Sequence, residues 1–252
     1  MDETQTKILI IMRHGERIDC AEDLKINEKS KLNICDPELT KKGISQAQDI
    51  GYQIVKRLDL NLSEINLFIS PFTRTIMTAL NVGKELLKKD NSVKINYYII
   101  KDLSEFLSKK IFHKSPFNDL LYYNQNKESK KNLYEELIKS QTKNNFEFIE
   151  LFNDSIKAKY PENFKESIKR YNNIIEKILT NVKNISSNNS INIRVSHGYG
   201  VQIMTEYILE TDCINGEESL KKEIFYVDYC TSYCFNMENN KLKYIGDMNP
   251  SE

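Results

Sequence analysis

The chain has no tryptophan, only three histidines and five cysteines among 252 residues, and no excess of charge of either sign. Basic and acidic side chains both number 36, so no overall field draws the chain to nucleic acid or a membrane surface. Any anion site must therefore be built locally. The cysteines, Cys20, Cys35, Cys213, Cys230 and Cys234, form an odd set without CxxC spacing. That argues against a disulfide framework and a zinc site, and it suits a reducing compartment. No apolar run reaches the length of a membrane span, and the short polar start before Ile8 is unlike a secretory leader, so a cytoplasmic protein is expected. Neither a glycine-rich nucleotide loop nor an EF-hand pattern occurs, and no ligand set implies a metal or cofactor.

What the chain does have is an alternation of short buried strands with amphipathic helices. Ile8-Leu9-Ile10-Ile11-Met12 is a β-branched run of the kind found in strands buried on both faces, and it leads straight into Arg13-His14-Gly15-Glu16-Arg17. Ligands of open α/β sheets gather at the carboxyl ends of such strands. Taken alone, the segment reads equally well as a strand followed by a polar turn. Further strands are predicted at 67–70, 93–100, 191–196, 223–228, 231–237 and 241–245, and helices at 40–58, 73–87, 161–182 and 200–209. Thr73 is expected to cap its own helix. Closely spaced strands at the end of the chain predict antiparallel pairing there.

This pattern predicts a three-layer α/β/α sandwich with a mostly parallel central sheet and an antiparallel edge. At 252 residues it is expected to form a single domain able to bury about 70–75% of its unfolded surface. Residues 108–160 are Lys/Asn-rich with scattered aromatics and read as an insertion acting as a lid. Tyr226, Tyr229 and Phe235 alternate as strand residues packing on a sheet would, and His113 reads as a surface residue.

The second informative feature is Ile191 to Ser196 followed by His197-Gly198, which repeats the opening theme of a β-branched strand ending in histidine and glycine. Two such ends are far harder to dismiss as ordinary turns than one. In the same order along the chain come Leu39-Thr40, Gly43 and Gln46-Ala47, then Ser70-Pro71 with Arg74 and Thr78-Ala79, then Leu103-Ser104-Glu105-Phe106. With Arg13-His14-Gly15 and Ser196-His197-Gly198 these motifs resemble the histidine phosphatase superfamily, the branch that also holds the phosphoglycerate mutases. Arg17, Pro116-Phe117 and Tyr229-Cys230-Thr231 are similar to the group holding the suppressor of T-cell receptor signalling proteins and an insect steroid-phosphate phosphatase. The stretch between Asp19 and Asp36 looks shorter here than in that group.

The resemblance implies a metal-independent phosphomonoesterase without cofactor, acting on a phosphorylated small molecule or a phosphoprotein. His14 would be the nucleophile, because a neutral imidazole can attack phosphorus with one nitrogen while the other donates to a carbonyl. Arg13, Arg17 and Arg74 would supply forked, permanently charged donors to the phosphoryl oxygens, as charge spreads there in the transition state. His197 would donate to the same group, and Glu105 would protonate the leaving oxygen and later activate water. Glu16 is assigned no chemistry. Two alternatives stand beside this reading. A mutase is disfavoured because those enzymes carry a Trp-Asn pair after the signature, where this chain has Ile18-Asp19. An inactive phosphate-binding scaffold is disfavoured because every implied catalytic position is filled. No nucleic-acid or membrane partner is expected, and a homodimer is left open.

Overall fold

The computed structural model describes residues 6–21, 35–58, 63–90, 92–120, 158–184, 189–211, 227–238 and 241–251. Six strands are present: β1 (Thr6–Arg13), β2 (Glu64–Ile69), β3 (Lys94–Ile99), β4 (Asn189–Ser196), β5 (Ser232–Glu238) and β6 (Lys241–Met248). They form one sheet in the order β3-β2-β4-β1-β5-β6. Strands β1 to β4 run parallel, β5 pairs antiparallel to β1, and β6 antiparallel to β5. The buried run at the start of the chain is thus hydrogen-bonded on both sides.

Its two faces are covered as well. Helices α1 (Lys41–Leu58) and α2 (Thr73–Lys89) lie on one side, where Ile8, Ile10 and Met12 join Ala47, Ile50, Ile54, Ile76 and Ala79. On the other side lie α3 (Phe164–Asn184) and α4 (Gly198–Thr211), where Leu9 and Ile11 meet Tyr171, Ile174, Ile175, Val201 and Met204. A continuous apolar run is what two covered faces require, because successive strand residues point to opposite layers. The expected α/β/α sandwich with an antiparallel edge is therefore the observed architecture.

Register decides where the chemistry falls. Arg13 pairs with Ser196, so β1 and β4 end level with each other and the residues that follow, His14 and His197, leave the sheet side by side. The backbone confirms the junction: His14 N donates to the Ser196 carbonyl at 3.0 Å.

Two expectations change. The start of α2 is not capped by Thr73 itself, since its N-cap residue Phe72 offers no side-chain bond. Instead Asp36 closes it, accepting from Thr73 N and Thr73 Oγ1 at 2.7 Å each. Tyr229 stands in a turn rather than on a strand, and Cys230 beside it takes a φ of 60°, a left-handed conformation. Most of the strand expected at 223–228, Tyr226 included, and residues 121–157 of the insertion lie outside the described residues. The described ends of that insertion are packed: Phe112, Leu120 and Ala158 form a small core with Phe72 and Leu107. His113 is exposed, and no described helix is long and apolar enough to cross a membrane.

Candidate active site

His14 is buried to 1% exposure at the end of β1. Its Nδ1 lies 2.7 Å from the Gly15 carbonyl, which can only accept, so Nδ1 carries the proton and Nε2 keeps a free lone pair. Burial, followed by the charges of Arg74, His197 and Arg13, holds the imidazole well below its ordinary titration range despite the opposing Gly15 carbonyl. At neutral pH His14 is a neutral imidazole with a fixed tautomer.

The turn after it is held by backbone contact. A Cβ on Gly15 would come 2.4 Å from the Gly43 carbonyl oxygen, and one on Gly43 would come 2.4 Å from that of Glu16. Both positions need glycine so that the turn can rest on the start of α1. Thr40 Oγ1 caps that helix by accepting from Gly43 N and donates to Glu16 Oε2, while Gln46 Oε1 accepts from Glu16 N. Glu16 therefore holds the loop, and Thr78 Oγ1 accepts from Gly15 N on the other side. These bonds give the Thr40, Gly43, Gln46 and Thr78 positions of the motif a physical meaning.

Arg74, in the first turn of α2, is 1% exposed and lies among the other candidates. Its Nε donates to His14 Nε2 at 3.3 Å, and its Nη2 reaches His197 Nδ1 at 3.1 Å and Glu105 Oε2 at 3.4 Å. His197 Nδ1 also lies 3.2 Å from Glu105 Oε2, so that nitrogen faces a donor on Arg74 and an acceptor on Glu105, while its Nε2 lies 2.8 Å from Ser70 Oγ, a hydroxyl that can donate or accept. Burial is the main reason His197 is pushed down to about 4, with Glu105 opposing and Arg74 assisting. For Glu105, burial pushes the carboxyl up, but His197 and Arg74 outweigh it and hold it well below the usual carboxylate range. Both histidines are thus neutral at neutral pH, and Glu105 is a carboxylate.

The other two arginines lie at the edge of this cluster. Arg13 donates to the Val227 carbonyl and stacks on Tyr229, 4.1 Å from the ring centre. Arg17 grips Asp19 with both arms of its fork, Nε to Oδ1 at 2.9 Å and Nη2 to Oδ2 at 2.5 Å, and its charge still reaches Arg74, Glu105 and His197. His14, Arg74, His197 and Glu105 are brought into direct contact, while Arg13 and Arg17 flank them.

Sequence reasoning missed three residues here. Asp36 caps α2 and lies 4.0 Å from Arg74 Nη1, Ser70 holds His197, and Tyr229 stands 5.8 Å from the His14 ring. Ser70 and Tyr229 lay inside motifs, but nothing in the local sequence linked Asp36 to Thr73.

Ligand atoms of His14, Glu105 and His197 lie within 4.8 Å of one another, and among the described residues this is the one such set. The donor types would suit a divalent transition metal. Arg74 nitrogens already lie 3.1–3.4 Å from an atom of each of the three, however, so a cation would have to displace a buried guanidinium. The arrangement suits an oxyanion far better, because it offers donors and fixed positive charge.

Beside Glu105 the surface is aromatic. Phe106, Phe164 and Tyr199 have ring centres 5.5–6.4 Å apart, and Phe164 is 56% exposed. Phe106 directly follows Glu105, and Tyr199 is two residues beyond His197.

No family sequence model matches the chain, and no curated protein matches it by sequence. Comparison of folds gives a different result. The ecdysone phosphate phosphatase of Bombix mori, solved in complex with tungstate, aligns over 98% of this chain and 94% of its own, with a TM-score of 0.60 and 16% identity. The product of an open reading frame of Mycobacterium tuberculosis aligns over 95% of this chain and 96% of its own, with a TM-score of 0.51 and 16% identity. These likenesses are likenesses of fold, and the fold is the one expected from the histidine phosphatase motifs.

Proposed function

We propose that the protein is a metal-independent phosphomonoesterase of the histidine phosphatase superfamily, working through a phosphohistidine on His14. The observation that carries this reading is the bond from His14 Nδ1 to the Gly15 carbonyl, with Arg74 and His197 around the lone pair left on Nε2. A neutral, oriented imidazole among cationic donors has the makings of a nucleophile toward phosphorus. In this mechanism a phosphate ester draws the Arg74 donors onto its oxygens, with Arg13 and Arg17 adding charge from the flanks. His14 Nε2 attacks in line, the P–O bond to the alcohol breaks, and His197 steadies the transferring group.

Glu105 protonates the departing oxygen and takes a proton from the water that then cleaves the P–N bond. As a carboxylate it must first gain a proton. Arrival of the phosphoryl negative charge raises its affinity for one, and a substrate monoanion brings one with it. The aromatic group at Phe106, Phe164 and Tyr199 is adjacent in sequence to Glu105 and His197, and in this reading it would favour esters of bulky apolar or aromatic alcohols. Such an alcohol could belong to a small molecule or to a phosphoprotein side chain. The reading requires no cofactor and fits a cytoplasmic protein.

The test is a panel of phosphomonoesters run with wild type and His14→Ala in the presence of a chelator. Hydrolysis by wild type that survives the chelator and disappears in the variant is the expected result. Activity that stops with the chelator, or that His14→Ala retains, contradicts it. A coupled assay for interconversion of 2- and 3-phosphoglycerate, expected to be negative, separates hydrolysis from mutase chemistry.

A further inference from the structure

Glu105 belongs to a segment that is neither helix nor strand, so no ladder of backbone bonds fixes the direction of its carboxylate. A segment of this kind inside the protein leaves carbonyl groups that need donors from elsewhere. Three of the bonds to carbonyls here and in the turn just before it come from one buried side chain. Arg170 of α3 is 2% exposed, and its Nη1 donates to the carbonyls of Asp102 and of Ser104, the latter at 3.0 Å. Its Nη2 donates to the carbonyl of Glu105 itself at 3.3 Å.

Glu162 completes the arrangement. Its Oε2 accepts from Arg170 Nε at 2.9 Å, and its Oε1 accepts from both Arg170 Nη2 and, at 2.9 Å, Leu107 N. Its own backbone N donates to the Leu107 carbonyl at 3.0 Å. Tyr171 Oη adds a bond to the Ser104 carbonyl, and Ser196 Oγ, one residue before His197, donates to that of Leu103 at 3.0 Å. The segment is thus gripped on both sides of Glu105.

An ion pair buried this deeply adds little stability over an apolar packing of the same volume, so stability alone is a weak reason for it. What it does supply is direction, because a planar fork fixes several acceptors at once. We propose that Arg170 and Glu162 form a clamp that positions Glu105 for proton transfer to the leaving alcohol. They act through the backbone of 102–107 and touch no substrate, so they are positioning residues. The proposal rests on the phosphomonoesterase reading above.

The test uses the full chain carrying Arg170→Lys, which keeps the charge and loses the fork, or Glu162→Gln, which keeps the shape and loses the charge. Readouts are kcat/KM for 4-nitrophenyl phosphate, whose phenoxide leaves without help, and for an alkyl phosphate, whose alkoxide needs the proton, together with sulfate binding. A clamp predicts a loss on the order of 10²-fold for the alkyl ester and only a few-fold loss for the nitrophenyl ester. It also predicts sulfate affinity near that of wild type. In a Glu105→Gln background Arg170→Lys should add almost nothing, since both act on one step.

Equal losses on both esters, no loss on either, or loss of sulfate binding in both variants would overturn the clamp. The last outcome would mean that the pair supports the whole site instead of Glu105. If Arg170→Lys fails to fold, Glu162→Gln decides the question by the same criteria. Wild-type protein that hydrolyses neither ester would instead refute the phosphatase reading, so the two failures are distinct.

Discussion

Arg74 Nε lies 3.3 Å from His14 Nε2 and donates to its lone pair, while Nη2 of the same guanidinium lies 3.1 Å from Nδ1 of His197, beside Glu105 Oε2 at 3.2 Å. One arginine thus engages both histidines on the atoms that would face a phosphoryl group. An entering oxyanion competes for those donors, and when it takes them it uncovers both rings together.

The pH dependence of anion binding follows from this exchange. Sulfate is a tetrahedral dianion whose own charge is constant from neutral pH down to about 4, and His197 without it titrates near 4. A dianion beside the ring favours protonated His197, so its affinity for a proton is higher with sulfate bound than without. Binding therefore takes up a proton. Sulfate affinity should rise as pH falls from neutrality toward 4, by up to about tenfold per pH unit for one linked proton. Glu105, also beside the site, would contribute with the same sign by gaining a proton. Calorimetry across this range checks it, and a flat profile or tighter binding at higher pH would contradict it.

Asp36 carries a structural prediction. It satisfies Thr73 N and Thr73 Oγ1 at the start of the helix that bears Arg74. Asp36→Ala should lower stability by about 1–2 kcal/mol, as the loss of a helix cap does. Urea unfolding measures this, and a change below about 0.3 kcal/mol would show that the helix start does not need the carboxylate.

Glu105 makes a prediction about the leaving group. Glu105→Gln should lower kcat/KM for alkyl phosphates by about 10²–10³-fold, the range expected for general acid catalysis, and lower it far less for 4-nitrophenyl phosphate. Parallel losses on the two substrates would remove Glu105 from the role of acid.

Much of this site was legible in the sequence, and the part that was not has a physical explanation. Strand-end histidines are readable because a buried β-branched run has one common structural meaning and its carboxyl end one common use. The level ends of β1 and β4 could not be read, since register is a property of the pairing of Arg13 with Ser196 and not of either strand. Asp36 was hidden because it caps a helix that begins 37 residues later. Tyr229 read as a strand residue because its alternation with Phe235 outweighed any turn signal, and the left-handed Cys230 is not a residue that announces a turn. Arg170 and Glu162 belong to no motif, and charges on an amphipathic helix and its lead-in carry no local signal of burial. Only the packing of α3 against the segment at 102–107 turns them inward.

The most direct test of the account is rapid quenching of wild-type protein during turnover of 4-nitrophenyl phosphate, followed by peptide mapping under alkaline conditions that preserve phosphohistidine. The account predicts one phosphoryl group on His14, formed at a rate that supports turnover, sensitive to acid and absent from His14→Ala. Turnover with no modified His14 peptide, or with the phosphoryl group on another residue, would contradict it.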